Sequence, residues 1–196
     1  MDGCTSQFKI ILGSSSVARR KVLAEMGYDF TIMSADIDEK SIRKEKPEEL
    51  VMALAEAKAE AITPKLPIGD YKRDAEPSVL ITCDQVVVCE GMIREKPLSK
   101  EEARQFIKAT VSSVLVTNLK TGLRKGDWDK VEIHFHSIPD QVIDNLIEEG
   151  IVLNVAGGLL IEHPLILPYI KEVVGTIDSV MGLPKTLVER LIMEVL

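Results

Sequence analysis

The chain has 196 residues, of which 45% are hydrophobic and 28% are charged, and its formal net charge is −7. This length suits one α/β domain with a sizeable core, and the composition excludes an intrinsically disordered chain. The acidic balance lacks the basic surface that sequence-independent binding to nucleic-acid polymers requires, but it is compatible with a locally positive pocket for a nucleotide.

Neither the cysteines nor the apolar segments indicate export or membrane insertion. Cys4, Cys83 and Cys89 lack a C-x-x-C spacing, so we expect reduced, buried thiols and a cytoplasmic location. The first seven residues lack a charged and then apolar start, and no apolar run approaches the roughly 18 residues that span a bilayer. We therefore expect neither a secretory signal nor a membrane anchor. No linker divides the chain, so we expect a single domain over residues 1–196.

Hydrophobic periodicity predicts an α/β fold in which strands and helices follow one another along the chain. The β-branched run over 78–88 is typical of a central strand that is covered on both faces. Residues 64–78 and 120–129 carry turn-forming residues, so we predict a loop and a hairpin turn there. The predicted strands cover 10–12, 30–33, 78–88, 114–119 and 130–136, and the predicted helices cover 19–26, 47–62, 99–110, 139–149 and 183–196.

The first strand is followed by a turn of glycine, serine and arginine residues. The apolar run ends in Gly13, and Ser14, Ser16 and Arg19 come before or within the start of the next helix. The N-terminus of a helix offers unpaired N–H groups and a positive dipole, and arginine adds a planar fork for phosphate oxygens. The segment predicts an anion site. The alternative is an ordinary N-cap serine beside solvated arginines.

Carboxylates occur within the central strand and in an earlier loop. Asp84 lies inside the apolar run, where an ionised group is costly unless it is paired or binds a metal. Asp36, Asp38 and Glu39 form an acidic loop, and one or two of them could join Asp84 in holding Mg²⁺, which prefers carboxylate, water and phosphate oxygens. The alternatives are a structural Asp at a strand end and a solvated acidic loop.

Lys58 and Lys96 could each neutralise phosphate charge, or each could simply extend into solvent. His134 and His136 project from one face of a predicted strand, but the sequence supplies no further ligands for a metal beside them. The chain lacks the phosphate loop, the dinucleotide-binding fingerprint and the nucleophile elbow. Kinase, dehydrogenase and serine-hydrolase functions therefore lack support.

Taken together, these pieces resemble the Maf family of nucleoside triphosphate pyrophosphatases. The matching segments occur in the family's order and span nearly the whole chain. They are Ile11-Leu-Gly-Ser-Ser-Ser-x-x-Arg-Arg20, Asp36-Ile-Asp-Glu39, Leu54-Ala-x-x-Lys-Ala59, Cys83-Asp-Gln-Val-Val-Val88, Glu95-Lys-Pro97, Ala156-Gly-Gly158 and Gly182-Leu-Pro184. The resemblance implies a mixed, elongated sheet flanked by helices, two lobes with a cleft between them, a divalent metal that is usually Mg²⁺, and frequently a homodimer.

The resemblance also implies roles for individual residues. Ser14, Ser16 and Arg19 would hold the triphosphate. Glu39 and Asp84 would organise the metal and the water, with Asp84 as the proton acceptor. Lys58 and Lys96 would bind phosphate oxygens. The implied reaction is attack of water between the α- and β-phosphates, which gives a nucleoside monophosphate and pyrophosphate.

Three positions concern the base of the nucleotide. In the branch that acts on dTTP and UTP, a Thr follows the strand Asp and a Gln follows the Ala-Gly-Gly loop; Gln85 and Glu162 stand there instead and resemble the branch that hydrolyses 7-methyl-GTP. A carboxylate complements a positively charged methylated guanine. Ala18 departs from the Trp or Arg that is usual at its position, so an aromatic platform is missing. The alternatives are a dTTP/UTP pyrophosphatase and, from another class, a nucleotide-binding regulator of cell division.

Overall fold

A computed structural model describes residues 8–89, 92–94, 109–150 and 161–196. Cys4, Lys96 and the Ala156-Gly-Gly158 segment lie outside these described residues, as does most of the helix predicted over 99–110. Among the described residues, none of the helices combines the length and the hydrophobicity of a membrane span.

The described strands form one mixed sheet of seven strands, as the family resemblance implies. Their order is β2-β1-β3-β5-β6-β7, with β4 paired to β3. The pairs β1–β2 and β1–β3 are parallel, and the others are antiparallel. The strands are β1 (Lys9–Gly13), β2 (Phe30–Ile32), β3 (Ser78–Cys89), β4 (Met92–Arg94), β5 (Ala109–Asn118), β6 (Arg124–Phe135) and β7 (Ile170–Val174).

Six α-helices are described, and the longest of them agrees with its prediction at both ends. That helix begins at a proline, whose missing N–H costs nothing in the first turn, and two acidic residues next to the proline favour the positive end of the dipole. The helices are α1 (Val17–Glu25), α2 (Pro47–Ile62), α3 (Ile68–Arg73), α4 (Asp140–Glu148), α5 (Ile177–Val180) and α6 (Lys185–Val195). Short 3₁₀ turns cover Glu39–Ser41, Thr63–Lys65 and Leu167–Tyr169.

Helices cover both faces of β3. Successive side chains of a strand point to opposite faces, and Ile81 packs in one cluster with α1 and α6 whereas Leu80 packs in another with α2. Both residues are fully buried. The prediction of a central strand with two covered faces is therefore confirmed, and residues 84 and 85 must also face opposite sides.

Three local predictions are wrong. The segment predicted as a loop over 64–78 contains α3. β5 begins at Ala109, whereas we predicted this strand from 114, so the end of the predicted helix over 99–110 lies in β5. The hairpin turn is shorter than predicted, because residues 124–129 are strand residues of β6 whose side chains are exposed or half-buried. Trp128 lies opposite Ser113 within the β5–β6 ladder.

Candidate active site

The turn after β1 is built around a glycine and two serines. A Cβ at Gly13 would lie 2.7 Å from Thr82 Cγ2, so only glycine fits at this point beside β3. Ser16 is the N-cap of α1, and its Oγ accepts from the backbone N–H of Arg19 at 3.4 Å. Ser14 Oγ accepts from the Ser16 N–H at 3.2 Å. The serines thus order the helix start from which an anion would be bound.

Arg19 is held by three acceptors from separate parts of the chain. Its Nε donates to the Gly182 carbonyl at 3.0 Å, and its Nη1 donates to the Cys83 carbonyl at 3.0 Å and to Ser14 Oγ at 3.3 Å. The residue is 9% exposed. Its Nη2 makes no hydrogen bond within the described ranges, so this group is available to a ligand while the rest of the guanidinium is fixed.

A buried lysine and two carboxylates form a second group of residues. Lys58 Nζ from α2 lies 2.5 Å from Asp84 Oδ1 of β3 and 3.0 Å from Glu39 Oε1, which the 3₁₀ turn after Asp38 supplies. The side chains of Lys58 and Asp84 are 10% and 12% exposed, whereas that of Glu39 is 47% exposed. Glu39 therefore reaches the ion pair from the solvent side.

The surroundings of Lys58 keep its ammonium charged. Burial lowers the pKa of Lys58, and the positive charge of Arg19 acts in the same direction. The carboxylates of Asp84 and Glu39 outweigh both effects, so the net pKa lies above the ordinary value of 10.5. One cation thus remains between two acids throughout the neutral range.

The backbone carbonyl of Cys83 joins the two groups. It accepts from Arg19 Nη1 at 3.0 Å and from Lys58 Nζ at 3.5 Å, so the opening turn and the acid centre meet at one point on the central strand. Burial raises the pKa of the Cys83 thiol, although Arg19 and Lys58 partly oppose this shift. The thiol is therefore not a nucleophile at neutral pH.

The family model for Maf-like proteins matches residues 9–195, which is nearly the whole chain. The chain belongs to the Maf family.

Several relatives of this Maf-family chain carry names that state an activity. A protein from Dictyostelium discoideum named 7-methyl-GTP pyrophosphatase is 39% identical over 193 residues, which are 95% of this chain and 96% of the relative. Another protein with this name, from Idiomarina loihiensis, is 33% identical, and the match covers 71% of this chain and 70% of the relative. A protein from Clostridium acetobutylicum named dTTP/UTP pyrophosphatase is 28% identical, and the match covers 90% of this chain and 92% of the relative.

In this Maf-family chain, Gln85 and Glu162 lie apart from the acid centre. Gln85 follows Asp84 on β3, and its amide donates to Ser112 Oγ and to the carbonyls of residues 179 and 180. Glu162 is exposed and its Oε1 lies 2.7 Å from Lys21 Nζ of α1. Because Lys21 lies one helical turn after Ala18, this ion pair brings Glu162 to the half-buried Ala18 side of the helix.

The donor set in the acid centre fits a Mg²⁺ site of the kind that one or two carboxylates form together with waters and substrate phosphates. Glu39 and Asp84 supply hard oxygen ligands that already converge on one cation, Lys58. Asp36 is exposed, and Asp38 caps its own turn by accepting from the Lys40 N–H. The described residues contain no cluster of three His, Cys, Asp or Glu side chains that could hold a metal unaided.

Three residues of the site, which the structure brings together from distant segments, were not assigned a role from the sequence. Gly182 was noted only within the motif Gly182-Leu-Pro184, yet its carbonyl anchors Arg19, and its φ of +87° favours glycine. Ser112 and Ser179, which contact Gln85, were missed because buried serines give no periodic or charge signal in a sequence. Lys96 belongs to the predicted site but falls outside the part that the structure describes.

Proposed function

We propose that this Maf-family chain is a nucleoside triphosphate pyrophosphatase that hydrolyses the bond between the α- and β-phosphates, with 7-methyl-GTP as the favoured substrate. The observation that carries the proposal is the shared Cys83 carbonyl, because it sets an arginine from the opening turn beside a lysine that is paired with two acids. An enzyme for phosphoanhydride hydrolysis needs this combination of phosphate-binding cations and carboxylates. The names of the Dictyostelium and Idiomarina relatives support the choice of base.

In this proposal, the start of α1 and the Nη2 group of Arg19 bind the phosphate chain. Lys58 offsets the negative charge that grows on the phosphate oxygens. Lys96 would do the same from its own segment. The ionised carboxylate of Asp84 accepts the proton of the attacking water, and the leaving group is pyrophosphate.

Glu39 and Asp84 would hold a divalent cation, for which Mg²⁺ is the probe. When bound, this cation would neutralise phosphate charge and lower the pKa of a coordinated water. Lys58 occupies the space between the two carboxylates in the structure. Its ammonium would turn towards phosphate oxygens when a substrate with its cation enters. Separation from Glu39 costs little, since the Glu39 side chain is 47% exposed and ion pairs with exposed groups stabilise by at most about 1 kcal/mol.

The proposal is tested by measuring pyrophosphate release from 7-methyl-GTP, GTP, UTP and dTTP with Mg²⁺. We expect 7-methyl-GTP to be cleaved best, and we expect Asp84→Asn to lower the rate by roughly 10²- to 10⁴-fold, the usual contribution of a positioned acid or base. Asp36→Asn is the matched control, because Asp36 is an exposed acid outside the Lys58 cluster.

Two results would contradict the proposal in different ways. If UTP or dTTP were cleaved better than 7-methyl-GTP, the dTTP/UTP alternative would replace the substrate assignment, in line with the name of the Clostridium relative. If the unmodified chain cleaved no triphosphate, the reaction would be wrong, and the role of a nucleotide-binding regulator of cell division would take its place.

Recognition of the base is tested separately at Glu162. We propose that its carboxylate leaves Lys21 and accepts from the N–H groups of the methylated guanine, whose positive charge replaces that of the lysine. Glu162→Gln should then weaken the preference for 7-methyl-GTP over GTP while the turnover of other nucleotides is preserved. An unchanged preference would show that Glu162 does not contact the base.

The family resemblance also supports a homodimer in the cytoplasm. Light scattering on the purified chain would test the first proposal, with a mass near 43 kDa expected, twice the 21.7 kDa of one chain. A mass of one chain at micromolar concentration would overturn it. Fractionation of the source cells would test the second.

A further inference from the structure

The last residues of α5 and the two residues after it reach back to the phosphate-binding arginine. We call residues 179–182 the C-terminal turn. Its last residue, Gly182, has a φ of +87°, and its carbonyl accepts from Arg19 Nε at 3.0 Å. A Cβ at this position would lie 3.1 Å from both Arg19 Nε and Gln85 Oε1. The C-terminal turn thus packs directly on Arg19 and Gln85.

Gln85 fixes the other end of the same turn. Its Nε2 donates to the Val180 carbonyl at 2.7 Å and lies 3.3 Å from the Ser179 carbonyl and 3.1 Å from Ser112 Oγ. A primary amide has two N–H groups, so three protein acceptors use its whole donor capacity. Gln85 therefore has no N–H left with which to recognise a base.

Two buried serines complete this hydrogen-bond network. Ser112 Oγ accepts from Gln85 and donates to the Ser179 carbonyl at 3.1 Å. Ser179 Oγ in turn donates to Asp129 Oδ2 at 2.5 Å. Both serines are buried, and breaking one bond of a buried network leaves its partners unsatisfied. The position of the C-terminal turn is thereby set from β5 and β6 as well as from Gln85.

We propose that Gln85 is a positioning residue that acts on Arg19 through the C-terminal turn, and that Ser112 acts with it. Residue 85 then controls how firmly the phosphate chain is held, which is common to every nucleotide, and does not contact the base. The inference rests on the proposed function, since it takes Arg19 to bind the triphosphate. It also deepens that function, because it makes phosphate binding depend on residues of β3, β5 and the C-terminal turn as well as on Arg19.

The positioning step is tested on the protein without any ligand. In ¹⁵N spectra, the Nε–H signal of Arg19 is assigned by its loss in Arg19→Lys, and its exchange with solvent is measured. Gln85→Met keeps the length of the side chain but removes its donors, and Ser112→Ala removes one partner. We expect faster exchange in both variants, by about tenfold or more in Gln85→Met, as expected for loss of a buried hydrogen bond.

Thr110→Val is the matched control. Thr110 lies on β5 two residues before Ser112 and on the same face, and its buried hydroxyl has no hydrogen-bond partner among the described residues. Exchange at Arg19 should stay as in the unmodified chain. If Gln85→Met left the exchange unchanged, or if Thr110→Val raised it as much, the positioning role would be refuted.

The effect on phosphate binding is measured by titration with inorganic triphosphate and Mg²⁺, which carries no base. We expect Gln85→Met to weaken binding by about tenfold and Ser112→Ala by a few-fold. In an Arg19→Met background, Gln85→Met should add nothing, because its effect passes through Arg19. Equal weakening in both backgrounds would overturn the proposal, and so would unchanged triphosphate binding combined with an altered choice among nucleotides.

Different results would refute the positioning role of Gln85 and the proposed function. Exchange at Arg19 and binding of triphosphate need no hydrolysis, so both can succeed in a chain that cleaves no nucleotide. A chain that cleaves 7-methyl-GTP but shows additive effects of Gln85→Met and Arg19→Met would keep the function and lose the inference. If the unmodified chain did not bind triphosphate at all, the assignment of Arg19 to phosphate would be wrong.

Discussion

Removal of the Lys58 ammonium should destabilise the folded chain strongly, because it leaves Asp84 buried without its counter-charge. The side chains of Lys58 and Asp84 are 10% and 12% exposed, and loss of one partner from a buried pair costs about 3–5 kcal/mol. Glu39 is 47% exposed, so solvent screens it and it adds less than about 1 kcal/mol. We therefore expect Lys58→Met to lower the free energy of unfolding by about 3 kcal/mol.

The assay is thermal unfolding in a metal chelator at neutral pH. For a chain of this size, about 3 kcal/mol corresponds to a fall in Tm of roughly 6–12 °C. The double variant Lys58→Met/Asp84→Asn removes the orphaned charge and should recover most of the loss. Lys21→Met is the control, since it breaks an exposed lysine–glutamate pair and should cost at most about 1 kcal/mol. A fall as small as that of the control, or no recovery in the double variant, would refute the reasoning.

Three further predictions follow from the same geometry. Gly182→Ala and Gly27→Ala both place alanine at a positive φ, and each should lose about 1–2 kcal/mol in thermal unfolding; only Gly182→Ala should also lose pyrophosphate release, since a Cβ at Gly27 meets nothing within 4 Å. Equal activity losses would contradict this. The raised pKa of Lys58 means that its stabilising contribution is complete below pH 10.5 and is lost only as the pH rises through a still higher value. The contribution is measured as the difference in unfolding free energy between the unmodified chain and Lys58→Met. A loss of this difference between pH 8 and pH 10 would show that the pKa is not raised. Burial and the raised pKa should protect the Cys83 thiol from iodoacetamide in the folded chain, and mass spectrometry showing alkylation as fast as in the unfolded chain would contradict the assignment.

The sequence predicted those parts of the fold and site that depend on periodicity, charge and motif. The apolar run around Asp84 predicted a doubly covered strand, and the proline with its acidic neighbours predicted α2 to the residue. Lys58 and Asp84 were named from their chemistry, and the family resemblance chose Glu39 among the three acids of its loop. The structure places both carboxylates within hydrogen-bond reach of Lys58.

What the sequence did not show depends on contacts between distant segments. The anchoring of Arg19 by Gly182 joins residues 163 positions apart, and no local pattern encodes such a pairing. The same holds for Ser112 beneath Gln85. The start of β6 was placed too late because its first residues are mostly polar and resemble a loop in composition, although they pair with β5.

We expect water to cleave the bond between the α- and β-phosphates at a centre formed by Asp84, Lys58 and Glu39. The most direct measurement is ³¹P NMR of the products that the chain forms from 7-methyl-GTP. We predict pyrophosphate and 7-methyl-GMP as the only products, with product formation lost in Asp84→Asn and kept in Asp36→Asn. Release of orthophosphate and a nucleoside diphosphate, or unchanged turnover in Asp84→Asn, would contradict the account.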